Sequence, residues 1–416
     1  MSGRSIVADP LVGSVLGHVE ARVEGEARDS YRPLTRTRPV VVGLVAATAA
    51  FLFVGARLLI AAHDDASRFV VAGTSYVDPH TVSPPIHVFN SVGYDGQFYW
   101  RLAIDPTART LGQVRGVRLD QRIRLTRVVY PLLAWVGAGG RPVLVIWSLL
   151  GVNIVGFGVL AGLAAALARD HGSSAWTGLF VAASSGLVMS ISRDLCEVVM
   201  IAALVGGVLA LERRRNVLAS LALTVAVLTH EQVVLVVAVF GLYRVCTLLR
   251  ERRRPEATDL PWIVPGVAFV GLQLAYRKLT GKVPVLAFGG KNLTIPFADL
   301  GREIGRYLQG DVPKQSVLFL PQLLVVIAVV VVAIRARSSV PAPDRWIVFA
   351  LVAAALLGVS LSSNVWRSPG ELRQVIIVPT LAWMVIIASR RRIPMLLGGA
   401  TAAVLVLTAG LRVLAI

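Results

Sequence analysis

Cysteine and lysine are both scarce in this chain. Only two cysteines, Cys196 and Cys246, occur in 416 residues. They lie far apart inside apolar stretches, so neither a disulfide framework nor a thiolate metal site is expected; packing as small hydrophobes is. Lysine occurs only at Lys278, Lys282, Lys291 and Lys314, so arginine supplies 38 of the 42 basic residues. Charged residues of all kinds reach 16%. The chain also lacks a phosphate-binding loop with its Gly-Lys-Ser/Thr end and a nucleotide-binding glycine fingerprint, so nothing points to a soluble nucleotide or nucleotide-sugar domain.

What replaces polar sequence is apolar sequence. Hydrophobic residues make up 55% of the chain and its mean hydropathy is +0.70. Repeated apolar runs of about 17–25 residues predict an all-α polytopic membrane protein. The net charge is +18 and the pI about 11.1, values that would suggest nucleic acid in a soluble protein. Here the arginine runs flank apolar spans, so orientation in the membrane explains them and no nucleic-acid partner is expected. Residues 1–38 lack the short basic start and immediate apolar core of a signal peptide, and read as a cytoplasmic tail. Residues 39–416 read as a single membrane domain without internal repeats or low-complexity linkers.

Eleven spans are expected, at 40–62, 143–168, 174–192, 195–211, 216–229, 233–249, 262–276, 317–334, 346–361, 375–389 and 393–414. Residues 63–127 form a long first outer loop and 277–316 a second. Residues 128–140 are apolar but too short to span, and read as a juxtamembrane or re-entrant helix. On that count the basic clusters at 213–215, 250–254, 335–337 and 390–392 all fall inside; if 128–140 spanned, all would fall outside. The positive-inside rule therefore selects eleven. The first outer loop still carries Arg115, Arg118, Arg122, Arg124 and Arg127 against that bias. Contact with anionic lipid or phosphate would explain them, and so would a solvated loop face.

Within the same loop lies the stretch Ser91-Val92-Gly93-Tyr94-Asp95-Gly96-Gln97-Phe98-Tyr99-Trp100-Arg101-Leu102-Ala103-Ile104-Asp105-Pro106. Pro106 cannot continue a helix, so residues 94–105 are predicted as one short helix. At helical spacing Tyr94, Phe98, Arg101 and Asp105 share one face, and Asp95, Tyr99 and Leu102 the next. An amphipathic helix lying on the membrane surface, with Asp95 as its N-terminal charge, is one reading. A carboxylate placed among aromatic rings is the other. A second polar set falls on the same outer face: Arg193, Asp194 and Glu197; His230 and Glu231; and Arg367, Glu371 and Arg373 between the ninth and tenth spans. An ion pair closing a helical hairpin explains Arg193-Asp194 equally well. Asp95, Asp105, Asp194, Glu197 and Glu231 could supply oxygen ligands to a divalent cation, but without compact ligand spacing no essential ion is expected.

Tyr-Asp-Gly-Gln-Phe-Tyr at 94–99 with Asp-Pro at 105–106 resembles the mark of bacterial polytopic proteins of cell-surface glycopolymer formation. These group with the GT-C type glycosyltransferases, and a similar Tyr-Asp-Gly-Gln occurs in the mannosyltransferases of glycolipid-anchor synthesis. The resemblance extends more loosely over residues 40–250. It includes Tyr130-Pro131-Leu132-Leu133 before the second span, and Arg193-Asp194 with Glu197 three residues on. Leu228-Thr229-His230-Glu231-Gln232 departs from the family's Leu-Thr-Arg-Glu-Thr. Neutral imidazole is a weaker anion partner than guanidinium, so His230 is expected as a buried hydrogen-bonding residue.

The resemblance implies a GT-C-like fold in a bacterial cytoplasmic membrane, with the active site facing outward. It implies a polyprenyl-phosphate-linked sugar donor and a glycan or glycolipid acceptor, with membrane lipids around the chain. Asp95 is the expected base, with Asp105 in reserve. Arg193, Arg367 and Arg373 are the expected phosphate partners. Tyr94, Tyr99 and Trp100 would stack on sugar rings, with Gln97, Arg101 and His230 nearby, and Asp194, Glu197, Glu231 and Glu371 would orient these groups. Three other classes stay open. A transporter or flippase of lipid-linked sugars would show mid-bilayer polar groups and repeat symmetry. A membrane acyltransferase would need a deep catalytic histidine, for which His230 is the candidate. A non-catalytic subunit of a polysaccharide assembly system could keep the fold alone.

Overall fold

In a computed structural model of the chain, residues 37–107, 110–287, 292–311, 317–366 and 371–414 are described. Residues 1–36 of the expected tail lie outside them. The helices in order are α1 (Pro39–Ile60), α2 (Gly96–Ile104), α3 (Val129–Gly137), α4 (Val145–Asp170), α5 (Gly178–Ala182), α6 (Ser185–Ser192), α7 (Glu197–Glu212) and α8 (Asn216–Thr229). They continue with α9 (Val233–Glu251), α10 (Leu260–Thr280), α11 (Ala298–Leu308), α12 (Phe319–Ala336), α13 (Trp346–Val359), α14 (Ser363–Trp366), α15 (Ile377–Ala388) and α16 (Met395–Leu414). One two-residue parallel pair, β1 (Ala72–Gly73) with β2 (Val88–Phe89), lies in the first loop.

Among the described residues seven helical stretches are long and apolar enough to cross a membrane: Pro39–Ile60, Pro142–Asp170, Val233–Glu251, Ala257–Thr280, Phe319–Ser339, Ala342–Val359 and Met395–Leu414. The pair Ala175–Ala182 and Ser185–Ser192, bent by 60°, makes an eighth if it forms one span. The protein is therefore an all-α, multi-pass membrane protein. The remaining expected spans coincide with α7, of 16 residues, α8, of 14, and the apolar stretch Leu372–Ala388. At 1.5 Å per residue, 14–16 residues rise about 21–24 Å, short of the roughly 30 Å hydrocarbon layer. α3 has nine residues. It rises only about 14 Å and cannot cross.

The first layer joins α1, α4, α7, α8 and α10 side by side; the second joins α9, α13, α15 and α12. α1 and α4 approach closely because small residues face each other. A Cβ added at Gly43 would sit 2.8 Å from the Gly158 carbonyl oxygen, and one at Gly158 would sit 2.8 Å from the Ala47 Cβ. Such seams let apolar helices associate in lipid by close packing. α16 returns to α1 and α6, and Arg57 donates to the Arg412 carbonyl. Leu44, Phe51, Leu52, Val155, Leu242 and Val267 point outward, as lipid-facing side chains do.

α8 runs from the basic cluster at Arg213–Arg215 to His230, and so connects two unlike ends of the molecule. At one end a cavity is lined by Arg213, Arg214, Arg253 and Arg390, so three of the four basic clusters meet there. At the other end sits the first loop, and in it α2 is buried along its whole length. Tyr99, Trp100 and Ala103 pack with Tyr130, Leu149 and Leu195. Phe98 and Leu102 pack with Leu119, Leu125 and Tyr276. The reading of this segment as a surface-lying helix is thereby overturned: both flanks of α2 have protein partners.

Candidate functional site

The backbone around Asp95 is fixed before its carboxylate does anything. Gly93 turns the chain at φ 75°, a left-handed conformation that costs glycine little. The Tyr94 amide donates to the Val71 carbonyl at 2.8 Å. The Gln97 carboxamide oxygen accepts from the Gly73 amide at 3.0 Å and its NH2 donates to the Val92 carbonyl at 3.1 Å. A Cβ on Gly96 would lie 2.5 Å from the Arg193 carbonyl oxygen and 2.7 Å from that of Val70. Only glycine admits these two carbonyls. Asp95 is the N-cap residue of α2, yet its side chain makes no capping bond. It turns instead to three arginines.

All three reach Oδ2: Arg124 Nη1 at 2.7 Å, Arg373 Nη2 at 2.9 Å and Arg127 Nη1 at 3.8 Å. Each arginine has a further carboxylate behind it. Arg124 holds Asp120 through Nε at 3.1 Å and Nη2 at 3.2 Å. Arg127 donates to Glu231 Oε2 at 2.8 Å and to the Tyr99 hydroxyl at 3.0 Å. Arg373 donates to Glu197 and to the Tyr94 hydroxyl, the latter at 3.0 Å. Glu197 also accepts from Ser190 at 2.9 Å. The loop brings Arg124 and Arg127 inward through a single 3-10 turn over Arg122–Thr126, and Arg373 comes from the turn before α15.

Burial alone would raise the Asp95 carboxyl, but the guanidiniums of Arg124, Arg373 and Arg127 outweigh it and hold it well below the usual carboxylate range. Glu231 follows the same pattern, with burial opposed chiefly by Arg127. His230 moves to about 4, because burial disfavours the charged ring and Arg127 adds to that. It is neutral at pH 7, and its Nδ1 accepts from the Gln232 amide at 3.3 Å.

These groups line a cavity of about 540 Å³. Its polar side holds Asp95, Asp120, Arg124, Arg127, Glu231 and Arg373; its apolar side holds Leu235, Leu293, Leu357, Leu361 and Val365. Tyr76 and Phe98 line it as an edge-to-face pair with ring centroids 5.3 Å apart. A narrower hollow continues from it between α9, α13 and α15. The two share Gln232, Leu235, Leu357, Leu361 and Gln374, and the hollow adds Ala354, Gly358, Val375, Ile377 and Val378. That hollow holds only about 20 Å³, so the charged and the apolar lining meet within the main cavity itself.

Of the expected site residues, Tyr94, Asp95, Gln97, His230, Glu231 and Arg373 line the cavity. Glu197 stands behind Arg373. Arg367 and the side chain of Glu371 lie outside the described residues.

The structure removes several residues from their expected places. Asp105 caps the far end of α2, accepting from the Thr107 amide at 3.2 Å and hydroxyl at 2.7 Å. It does not line the cavity. Arg101 serves loop carbonyls, donating to Val117, Thr110 and Gly112. Trp100 is fully buried in the core, and Tyr99 supports Arg127 and Cys196 rather than facing open space. The Tyr94 ring meets two guanidiniums, with Arg193 4.5 Å and Arg373 5.0 Å from its centroid. That is cation–π contact on a ring expected to stack on sugar. Arg193 therefore acts at one remove from the cavity.

Asp194 is fully buried at φ 48°. Neither of its carboxyl oxygens has a hydrogen-bond partner, and burial pushes its pKa well up. Sequence reading passed over Arg124, Arg127, Tyr76 and Phe98 as site residues. The arginine series set against the inside bias was the signal for the first two. Among the described residues no group of three or more His, Cys, Asp and Glu is placed to hold a metal ion.

Fold and site together define a multi-pass α-helical membrane protein with an arginine–carboxylate cavity at one end. No family model, no curated protein and no solved structure matches the chain.

Proposed function

We propose that this is a membrane glycosyltransferase of the GT-C kind. It would take a sugar from a polyprenyl-phosphate donor and pass it to a cell-envelope glycan or glycolipid on the extracytoplasmic face. One observation supports this above the others: guanidiniums and a set of apolar side chains, Leu235, Leu357, Leu361 and Val365 among them, line one cavity. An isoprenoid phosphate has that same division, a charged head on a hydrocarbon tail. Tyr76 and Phe98 supply aromatic surface in the cavity lining on which a sugar ring can pack. The orientation rests on the basic clusters gathered at the opposite end, which the positive-inside rule assigns to the cytoplasm. On that orientation the chain has eleven spans, the short ones included.

In the transfer, the acceptor oxygen forms a bond to the anomeric carbon as the bond from that carbon to the phosphate oxygen breaks. The leaving lipid phosphate takes the electron pair, and Arg124, Arg127 and Arg373 stabilise its charge. The acceptor's proton passes to Asp95. In the empty site the three arginines meet its Oδ2 alone. Mass analysis of envelope glycans and lipid-linked sugars in a deletion strain tests this reading. Loss of one glycan with build-up of its lipid-linked donor on the outer leaflet is expected. Donor held on the inner leaflet would mean a flippase, and unchanged glycans would refute both.

A further inference from the structure

We propose that Asp95 is a resident anion: in the free protein it occupies the prongs of Arg124 and Arg373 that a donor phosphate takes over, and the two exchange places. This rests on the reading of the cavity as a lipid-phosphate site. Its own basis is the pairing of charges at the lining. Among the described residues, Arg124, Arg127 and Arg373 face Asp95, Asp120 and Glu231 in the lining, and Glu197 stands behind Arg373, so each guanidinium already has a carboxylate. His230 adds no charge at pH 7. An anion entering among guanidiniums already paired in this way gains little attraction unless one carboxylate gives up its partners.

Asp95 is the carboxylate built to yield. Glu231 engages Arg127 through both its oxygens, and Asp120 engages Arg124 through two nitrogens. Asp95 instead meets its three guanidiniums at the single atom Oδ2. Removing it leaves every arginine anchored, Arg124 by Asp120, Arg127 by Glu231 and Arg373 by Glu197. The vacated prongs converge where one oxygen stood, and the two non-bridging oxygens of a phosphodiester can serve Arg124 and Arg373 separately. At the prongs one negative charge takes the place of another, which matches a phosphodiester better than a diphosphate. Asp95 then stands beside the anion without Arg124 and Arg373, and its basicity rises only when donor is present. The base is silent in the empty site and becomes active on loading.

The test is binding of farnesyl methyl phosphate, a singly charged diester, to purified protein by titration calorimetry. If Asp95 competes for the guanidiniums, Asp95→Asn should bind roughly tenfold more tightly than wild type. Asp170→Asn, at the other end of the molecule, should bind as wild type does. Equal or weaker binding by Asp95→Asn, with wild type binding well, overturns the exchange and leaves the transferase reading intact. No binding by wild type removes the lipid-phosphate reading and the exchange with it. Infrared difference spectra of wild type need no variant. The diester should shift a carboxylate stretching band, and saturable binding with no carboxylate change contradicts the exchange.

Discussion

Replacing Arg373 by lysine asks how much one guanidinium contributes. Its N–H groups serve three partners at once: the Tyr94 hydroxyl, Glu197 and Asp95. A lysine ammonium is a single point on a flexible stem and cannot span all three. Asp95 would keep Arg124, so the losses fall on Tyr94 and on Glu197, which is almost fully buried and would retain Ser190 alone. A hydrogen bond to a buried charge is worth about 1.5–3 kcal/mol and a neutral one about 0.5–1.5. Arg373→Lys should therefore cost roughly 2–4 kcal/mol. At about 2 °C per kcal/mol, the lower end for long chains, the thermal midpoint should fall by roughly 4–8 °C. Arg373→Met leaves a buried acid with no cation and should cost more, about 3–5 kcal/mol. Thermal unfolding of the detergent-solubilised protein at pH 7 measures both. A lysine variant within 1 °C of wild type would refute the idea that this guanidinium ties α2, α7 and α15 together.

In a background without Cys196 and Cys246, a cysteine at the exposed position 92 should label from outside intact cells, and one at position 254 only from inside; outside labelling at 254 would reverse the orientation. His230 titrates near 4 in the fold against about 6.5 unfolded. Between those values the unfolded chain binds more protons, so stability is full above pH 6.5 and falls by up to about 3 kcal/mol toward pH 4. His230→Gln should flatten that part of a pH–melting profile, and an unchanged slope would count against a neutral buried ring. Gly96→Ala should cost about 1–3 kcal/mol by overpacking against the Arg193 and Val70 carbonyls, and a melting point equal to wild type would contradict the close approach.

The helices were largely legible because apolar runs in a membrane protein are long and continuous. α8 occupies the expected 216–229, and α1 starts one residue from its expected position. Pro106 marked the end of α2 correctly, but helical periodicity misjudged its faces. Periodicity finds a buried face only when the opposite face is wet, and α2 is buried all round. Trp100 and Arg101 therefore turned away from the cavity while Phe98 turned toward it. The arginine series was equally ambiguous. Arg124 and Arg127 point inward while Arg118 stays exposed, donating to the Ser75 carbonyl. Partners more than a hundred residues away in sequence, Glu231 and Arg373, complete the cluster, and no local pattern reveals them.

The most direct measurement is sugar transfer by purified protein in liposomes carrying labelled polyprenyl-phosphate sugars, comparing wild type with Asp95→Asn. Folding of the variant is confirmed by its thermal transition and by its binding of the lipid phosphate. Turnover should fall by roughly 10²-fold or more, the scale for loss of a general base, while lipid-phosphate binding persists. An Asp95→Asn protein that transfers sugar at the wild-type rate would contradict the assignment of Asp95 as the base.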